Sequence, residues 1–126
     1  MNSKRIEIRV KRVYEEPEES DGQRILVDRL WARGLSKEKA KVDVWVKEIA
    51  PSTDLRRWYG HDPSKWTEFK NRYAAELETN PGQVEEMLRE IQAGIVTFLY
   101  SSKEEQLNNA VALKEYIESI IHDKAV

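Results

Sequence analysis

The sequence predicts an α/β sandwich, in which a small, mainly parallel sheet carries helices on both faces. Three observations predict this fold class. The run at 95–100 is apolar, β-rich and uncharged, which is typical of a central parallel strand. The segments 5–10 and 25–27 have the patterns of further strands. The segments 63–78 and 103–122 have the apolar periodicity of helices, and strands that alternate with helices along one chain indicate this class.

Length and composition predict one domain that spans residues 1–126. The chain has 126 residues, of which 40% are hydrophobic and 35% are charged, so it has enough apolar material for one core and too much charge for a membrane protein. It contains no cysteine, which excludes disulfides, thiolate metal sites and cysteine nucleophiles. We expect a cytoplasmic protein without a membrane partner.

The first third of the chain supplies two strands and a short helix. Arg5 to Val10 alternates between apolar and charged residues, which is the period of a half-buried strand. The acidic stretch 15–22 has no apolar anchor and is predicted to be a solvated loop. Ile25 to Val27 is a continuous apolar triplet, as expected of a strand buried on both faces. Ser36 is a candidate cap for a helical turn at 37–40.

The middle of the chain contains one ambiguous segment and two helices. Val42 to Ile49 fits either a strand or one face of a helix, and its β-branched residues favour the strand. Thr53 to Tyr59 is predicted to be a short helix that ends at Gly60. Asp62 then provides an N-cap for a longer helix, Pro63 to Glu78, which begins with proline at its first position.

The last third repeats the helix, strand and helix pattern. The Asn-Pro pair at 80–81 is a second helix start, and Gly94 is the stop for that helix. The serines at 101–102 end the strand that follows. They are candidate caps for a final helix from Lys103 to His122.

Charge is distributed unevenly along the chain. Residues 1–72 contain 17 Lys and Arg against 13 Asp and Glu, whereas residues 73–126 contain 4 against 10. Nine of the ten arginines and all four tryptophans lie in the first segment. Arginine suits planar contacts with anions, so an anionic partner would meet this segment. The alternative is that the charges only keep the domain soluble and the tryptophans only fill its core.

The carboxyl ends of parallel strands predict where a ligand would bind, because loops and helix starts converge there. Arg29, Trp31 and Arg33 follow the predicted strand at 25–27, and two guanidiniums that flank an indole suit an anion. The alternative for these arginines is a structural network with Asp28 or Asp43. The candidate ligand-binding residues are Arg29, Trp31, Arg33, Arg57, Tyr100, Ser101 and Asn108.

Catalytic signals are sparse. His61 is the candidate for proton transfer near neutral pH, with a structural role at the helix start as its alternative. We expect no metal site, because His122 in a terminal segment is a poor second ligand. The sequence has no Gly-x-Ser-x-Gly nucleophile motif and no glycine-rich phosphate loop, so it identifies no cofactor.

The chain resembles the YeaO-like family of small bacterial proteins, a domain of unknown function. The strings that carry the resemblance are Arg12-Val13-Tyr14, Arg24-Ile25-Leu26-Val27-Asp28-Arg29-Leu30-Trp31, Arg33-Gly34-Leu35-Ser36-Lys37, Ala50-Pro51-Ser52, Leu55-Arg56, Gly60-His61-Asp62-Pro63 and Asn108-Asn109-Ala110. The resemblance implies an α/β fold, a bacterial or archaeal cytoplasmic setting and no established activity. The family pattern has proline at Ala32, alanine at Ser101 and Ser102, and histidine at Leu107. A mechanism that relied on a histidine at position 107 would be missing here.

Three function hypotheses follow from the sequence. The favoured one is a small ligand-binding domain or enzyme for a phosphorylated or other anionic small molecule. The alternative is a non-catalytic interaction or regulatory module, with a homodimer as one form of it. Nucleic-acid binding ranks last, because the pI of about 5.8 and the acidic stretch oppose contact with a polyanion.

Overall fold

The computed structural model describes residues 6–91 and 94–125 of the chain. The strands are Ile6–Arg12 (β1), Gln23–Leu26 (β2), Val44–Trp45 (β3) and Gly94–Tyr100 (β4). They form one sheet in the order β1-β4-β2-β3, and every pair of neighbours is parallel. The α/β sandwich predicted from the sequence is therefore confirmed. No helix in the described part of the chain is long and apolar enough to cross a membrane.

Helices cover the two faces of the sheet unequally. They are Lys37–Ala40 (α1), Thr53–Tyr59 (α2), Trp66–Glu78 (α3), Pro81–Glu90 (α4) and Asn109–Ala125 (α5). Helices α2 to α5 pack against the face that carries Ile25 and Phe98. On the opposite face, Leu26 and Leu99 are covered by Ala40 of α1 and by the loop that follows β2.

Helix α3 begins as the sequence predicts. The side chain of Asp62 accepts a hydrogen bond from the backbone N–H of Ser64, and Pro63 opens a 3-10 turn that leads into the helix. Phe69 and Tyr73 of its apolar stripe are both buried. The Tyr73 hydroxyl donates to the backbone carbonyl of Ile49 over 2.6 Å, which fixes α3 to the segment after β3.

The final helix begins at Asn109 instead of Lys103, and the serines at 101–102 do not cap it. The carboxylate of Glu104 accepts hydrogen bonds from the backbone N–H groups two and three residues ahead, which folds this stretch into a turn. Asn108 then accepts from the N–H three residues on, as an N-cap does. The predicted start was wrong because these local side-chain bonds outweigh the helix propensity of the segment.

The ambiguous segment at 42–49 forms a strand over only two residues, Val44–Trp45, at the edge of the sheet. A 3-10 turn at Lys47–Ile49 follows at once. Val46 and Ile49 both pack into the main core, and a continuing edge strand would point these two residues to opposite faces. Burial of both residues therefore shortens the strand.

The sequence predicted that the whole acidic stretch is solvated, but part of it is buried. Asp21 is only 5% exposed and forms an ion pair of 2.6 Å with the buried Arg24. Lys11 reaches the same carboxylate over 3.1 Å and also donates to the backbone carbonyl of Glu16. These contacts fix the loop to β1 and β2. The prediction was wrong because the cations that bind Asp21 lie on the strands before and after the loop, outside the acidic stretch itself.

Candidate functional site

A cavity of about 800 Å³ opens at the carboxyl ends of β2 and β4. The two strands end together, because the N–H of Val27 donates to the carbonyl of Leu99 over 3.1 Å. Segments after both strands, α2 and the start of α5 supply its walls. This is the position where parallel sheets bind ligands.

The cavity brings together most of the predicted site residues. Those that line it are His61, Arg29, Trp31, Arg33, Arg57 and Ser101. Tyr100 and Asn108 are not part of the lining, and both are buried, at 2% and 1% exposure. Asn108 instead caps α5, and Tyr100 packs in the main core.

Among the residues that the structure describes, Asp28 is the only carboxylate on the cavity wall. One of its oxygens, Oδ2, accepts from the backbone N–H of Ser101 over 2.9 Å and from the Ser101 hydroxyl over 2.8 Å. The other oxygen, Oδ1, accepts from Nδ2 of Asn109 over 3.0 Å. Asp28 thereby joins the ends of β2 and β4 to the first residue of α5.

Arg29 crosses one wall of the cavity and is half-buried. Its Nη2 donates to the carbonyl of Ala50 over 3.1 Å, and its Nη1 lies 3.9 Å from Oε2 of Glu48. Its Nε is buried and has no acceptor among the described residues. A buried donor of this kind carries a free-energy cost until an acceptor reaches it.

Three further arginines, Arg33, Arg56 and Arg57, line the cavity and are exposed. Within the described residues, none of the three forms an ion pair. Arg33 is anchored through its backbone, since its carbonyl accepts from the Tyr14 hydroxyl over 2.8 Å. With Arg29, the lining therefore holds four guanidiniums against one carboxylate.

Aromatic side chains form the apolar part of the cavity. Tyr59 stacks on Phe69 with ring centroids 4.3 Å apart, and its hydroxyl donates to the carbonyl of Leu107 over 2.7 Å. Burial, assisted by the charges of Glu104 and Asp62, raises the pKa of Tyr59. The phenol therefore stays protonated at neutral pH, and its proton is used in the hydrogen bond to Leu107.

Trp31 lies on the side of the cavity nearest the edge strand. Its indole N–H donates to the carbonyl of Leu35 over 2.6 Å, and its ring meets Trp45 edge-on at a centroid distance of 5.5 Å. Trp45 in turn donates to the backbone carbonyl of Asp28 over 2.8 Å. These contacts fix the loop that carries Arg29 and Arg33.

His61 lies exposed at the mouth of the cavity, in a left-handed backbone conformation with φ of 56°. Its ring centroid is 5.8 Å from that of Tyr59. The imidazole forms no hydrogen bond with another described residue, so none of these residues fixes its tautomer. Its role in proton transfer stays a prediction.

Sequence reasoning missed Asn109, Arg56 and Tyr14 as cavity residues. Of the adjacent asparagines it selected Asn108, and it placed both inside a helix that was predicted to begin six residues too early. Asparagine is favoured as an N-cap and disfavoured inside helices, and that signal could have placed the helix start at Asn108. Among the described residues, no group of three or more His, Cys, Asp or Glu side chains could hold a metal ion.

A family profile decides the relationships of the chain. The profile described as the inactive DUF488-N3 subclade matches residues 7–125. The chain belongs to this subclade. Its relatives include the uncharacterized protein YeaO of Escherichia coli, which is 39% identical over 113 residues, covering 90% of this chain and 98% of YeaO. The resemblance to the YeaO-like family is thereby confirmed.

A second relative of this DUF488-N3 chain comes from Mycobacterium tuberculosis. The uncharacterized protein Rv3073c is 38% identical over 111 residues, which cover 87% of this chain and 92% of Rv3073c. No solved structure matches the chain. The matched relatives thus cover most of the chain.

Proposed function

We propose that this DUF488-N3 chain binds a phosphorylated or otherwise anionic small molecule in the cavity at the carboxyl ends of β2 and β4. One observation carries the proposal: among the described residues, four arginines and a single carboxylate line this cavity of about 800 Å³. The volume is in the range of small-molecule sites. Guanidiniums bind phosphate and carboxylate groups through charge-assisted, often paired, hydrogen bonds.

Arg29 is the anchor for the anion in this proposal. Its Nε is buried without an acceptor, while Ala50 holds the outer nitrogen in place. Nε itself is enclosed by the protein, but the side chain is 31% exposed, so an anionic oxygen in the cavity would bind the exposed part of the guanidinium, where Nη1 lies 3.9 Å from Glu48. Arg33, Arg56 and Arg57 surround the cavity without ion pairs to other described residues, so their charges are available to the same ligand.

Binding without turnover fits the chemistry of the cavity better than catalysis. The carboxylate of Asp28 accepts three hydrogen bonds, and the Tyr59 hydroxyl is engaged with the carbonyl of Leu107. The description of the subclade as inactive agrees with this reading.

Absence of cysteine suits a cytoplasmic setting, which we infer for the chain.

Thermal unfolding with inorganic phosphate, sulfate and glucose 6-phosphate, each matched in ionic strength by KCl, tests the proposal. A ligand at a hundred times its Kd adds about 2.7 kcal/mol to the free energy of unfolding, which raises Tm on the order of 10 °C in a domain of this size. We expect Arg29→Gln to abolish the rise. The matched control is Arg89→Gln, because Arg89 is exposed on α4 and, within the described residues, its side chain pairs with Glu86 alone.

Two results would contradict the proposal. One is a rise in Tm that is as large in Arg29→Gln as in the wild-type protein. The other is the absence of any rise with all three anions while Arg29→Gln unfolds at the wild-type temperature.

The second candidate is an interaction module, which one observation favours. Leu30 is 70% exposed, and the partly exposed side chains of Tyr14 and Trp45 share its side of the molecule near the cavity. Exposed apolar groups of this size mark partner surfaces in other proteins. Light scattering after size-exclusion chromatography tests the homodimeric form, and a monomer at every concentration would exclude it.

A further inference from the structure

The amide of Asn109 has one defined orientation at the wall of the cavity. Its Nδ2 donates to Oδ1 of Asp28 over 3.0 Å and to the carbonyl of Val27 over 3.4 Å. Both partners are acceptors, so the reversed amide would place oxygen against two oxygens. The Asn109 carbonyl oxygen therefore points away from them, and it accepts no hydrogen bond from the described residues.

The neighbouring groups also retain only acceptor capacity. Ser101 uses its single hydroxyl proton on Oδ2 of Asp28, which leaves the lone pairs of Oγ. Oδ1 of Asp28 accepts one hydrogen bond and has room for a second. Hydrogen bonds join Asp28, Ser101 and Asn109 into a cluster, and all three line the cavity. We term this cluster the acceptor floor.

The arginines of the cavity have the opposite character. A guanidinium carries donors and no acceptor, and Arg29 holds one unused buried donor. The cavity lining thus contains both guanidinium donors and the acceptor floor. A complementary ligand carries an anionic group together with hydrogen-bond donors. An ammonium group is disfavoured as that donor, because four arginines outnumber the single carboxylate.

We infer that the anion bound in this cavity is the phosphate of a polyhydroxylated molecule, a sugar or cyclitol phosphate, whose hydroxyl groups donate to the acceptor floor. The inference rests on the proposed anion site and names its ligand class. Hydroxyls are neutral donors, so neighbouring arginines do not repel them. A site built to hydrogen-bond hydroxyl groups rejects an analogue that lacks them, because its own polar groups are then left unpaired.

Calorimetric titration with two compounds of similar shape tests the inference. The compounds are myo-inositol 1-phosphate and cyclohexyl phosphate, which share a phosphate and a six-membered ring and differ in the ring hydroxyls. We expect the wild-type protein to bind the inositol phosphate at least about ten times more tightly. Asn109→Ala should bring the ratio of the two dissociation constants towards one. Arg29→Gln should weaken both compounds and leave the ratio unchanged.

The controls separate folding from recognition. Asn71→Ala removes an exposed amide on α3 and should keep both affinities. Ser101→Ala removes one acceptor while its backbone N–H still reaches Asp28, so it provides a second variant with a reduced ratio if Asn109→Ala fails to fold.

The outcomes distinguish this inference from the anion site beneath it. Equal affinities in the wild-type protein, with both lost in Arg29→Gln, would overturn the ligand class and leave the anion site standing. Tight binding of unphosphorylated myo-inositol, with the same dissociation constant in Arg29→Gln as in the wild-type protein, would overturn the anion site. A preserved tenfold ratio in both Asn109→Ala and Ser101→Ala would overturn the role of the acceptor floor. Binding of neither phosphate compound would overturn the ligand class and count against the anion site.

Discussion

Ser101 donates twice to one oxygen of Asp28, through its backbone N–H at 2.9 Å and its hydroxyl at 2.8 Å. The two residues follow different strands, β2 and β4, so this pair connects the ends of the two strands from which the cavity opens. Asn109 completes the connection from α5. The carboxylate held in this way lines the same cavity as four arginines, and its contacts serve both the fold and the cavity.

The first prediction concerns the removal of this carboxylate. Asp28→Ala leaves the Ser101 N–H and the Asn109 amide without their acceptor, so it should lower the free energy of unfolding by about 1–3 kcal/mol. Asp28→Asn keeps the size of the side chain and should cost less. Urea unfolding of the three proteins measures the differences. A loss below about 0.5 kcal/mol in Asp28→Ala, the range of ordinary surface changes, would contradict the structural role.

A second prediction distinguishes the adjacent asparagines at the start of α5. Asn108→Ala removes the N-cap bond to the N–H three residues on, and it should cost about 1 kcal/mol of stability. Asn108 is buried and does not line the cavity, so ligand selectivity should not change. Asn109→Ala should instead change the ligand selectivity and cost less stability than Asn108→Ala. Urea unfolding and calorimetric titration of both variants test the distinction, and identical behaviour would refute it.

The sheet and much of the cavity follow from local sequence signals. Alternation predicted β1 and apolar runs predicted β2 and β4. The rule that ligands bind at the carboxyl ends of parallel strands selected Arg29, Trp31, Arg33 and Ser101. These predictions succeed because the residues lie within a few positions of their strand. No long-range packing is needed to place them.

Other features depend on contacts that local patterns do not contain. Arg56 reaches the cavity because α2 packs against α3, which the sequence does not encode as a pattern. Asn109 was missed through the misplaced helix start. Asp21 was assigned to solvent because acidic residues are mostly exposed, and only the folded sheet brings Lys11 and Arg24 to it.

The third prediction compares two glycines with positive φ. Gly22 has φ of 64°, and a Cβ there would lie 2.1 Å from the carbonyl oxygen of Ile95. Gly34 has φ of 77°, but a Cβ there would meet nothing within 4 Å. Gly34→Ala should therefore cost only the backbone strain, about 1–2 kcal/mol. Gly22→Ala should cost more than about 3 kcal/mol, because strain and steric clash add. Equal losses in urea unfolding would exclude the clash.

The fourth prediction starts from the electrostatics of the buried Asp21. Burial acts to raise the pKa of its carboxyl from the ordinary value of 3.8. The hydrogen bonds from the backbone N–H of Glu18 and from the side chains of Lys11 and Arg24 outweigh burial and lower that pKa. The unfolded chain therefore takes up this proton at a higher pH than the folded chain does. The stability that the carboxylate contributes is complete above the unfolded value and is lost as pH falls through the folded pKa.

Asp21→Asn should therefore destabilise the protein most at neutral pH and progressively less in acid. At about pH 7 the substitution leaves Lys11 and Arg24 without their carboxylate, at a cost of about 3 kcal/mol, the scale for breaking a buried ion pair. Below about pH 3.8 the carboxyl is protonated first in the unfolded chain, and in the folded chain only at a lower pH, so the stability that its charge contributes falls and the difference between the two proteins should narrow. Urea unfolding of both proteins at a series of pH values from about 7 to about 3 measures it. A difference that stays constant across this range would show that Asp21 acts through shape and hydrogen bonding alone, without its charge.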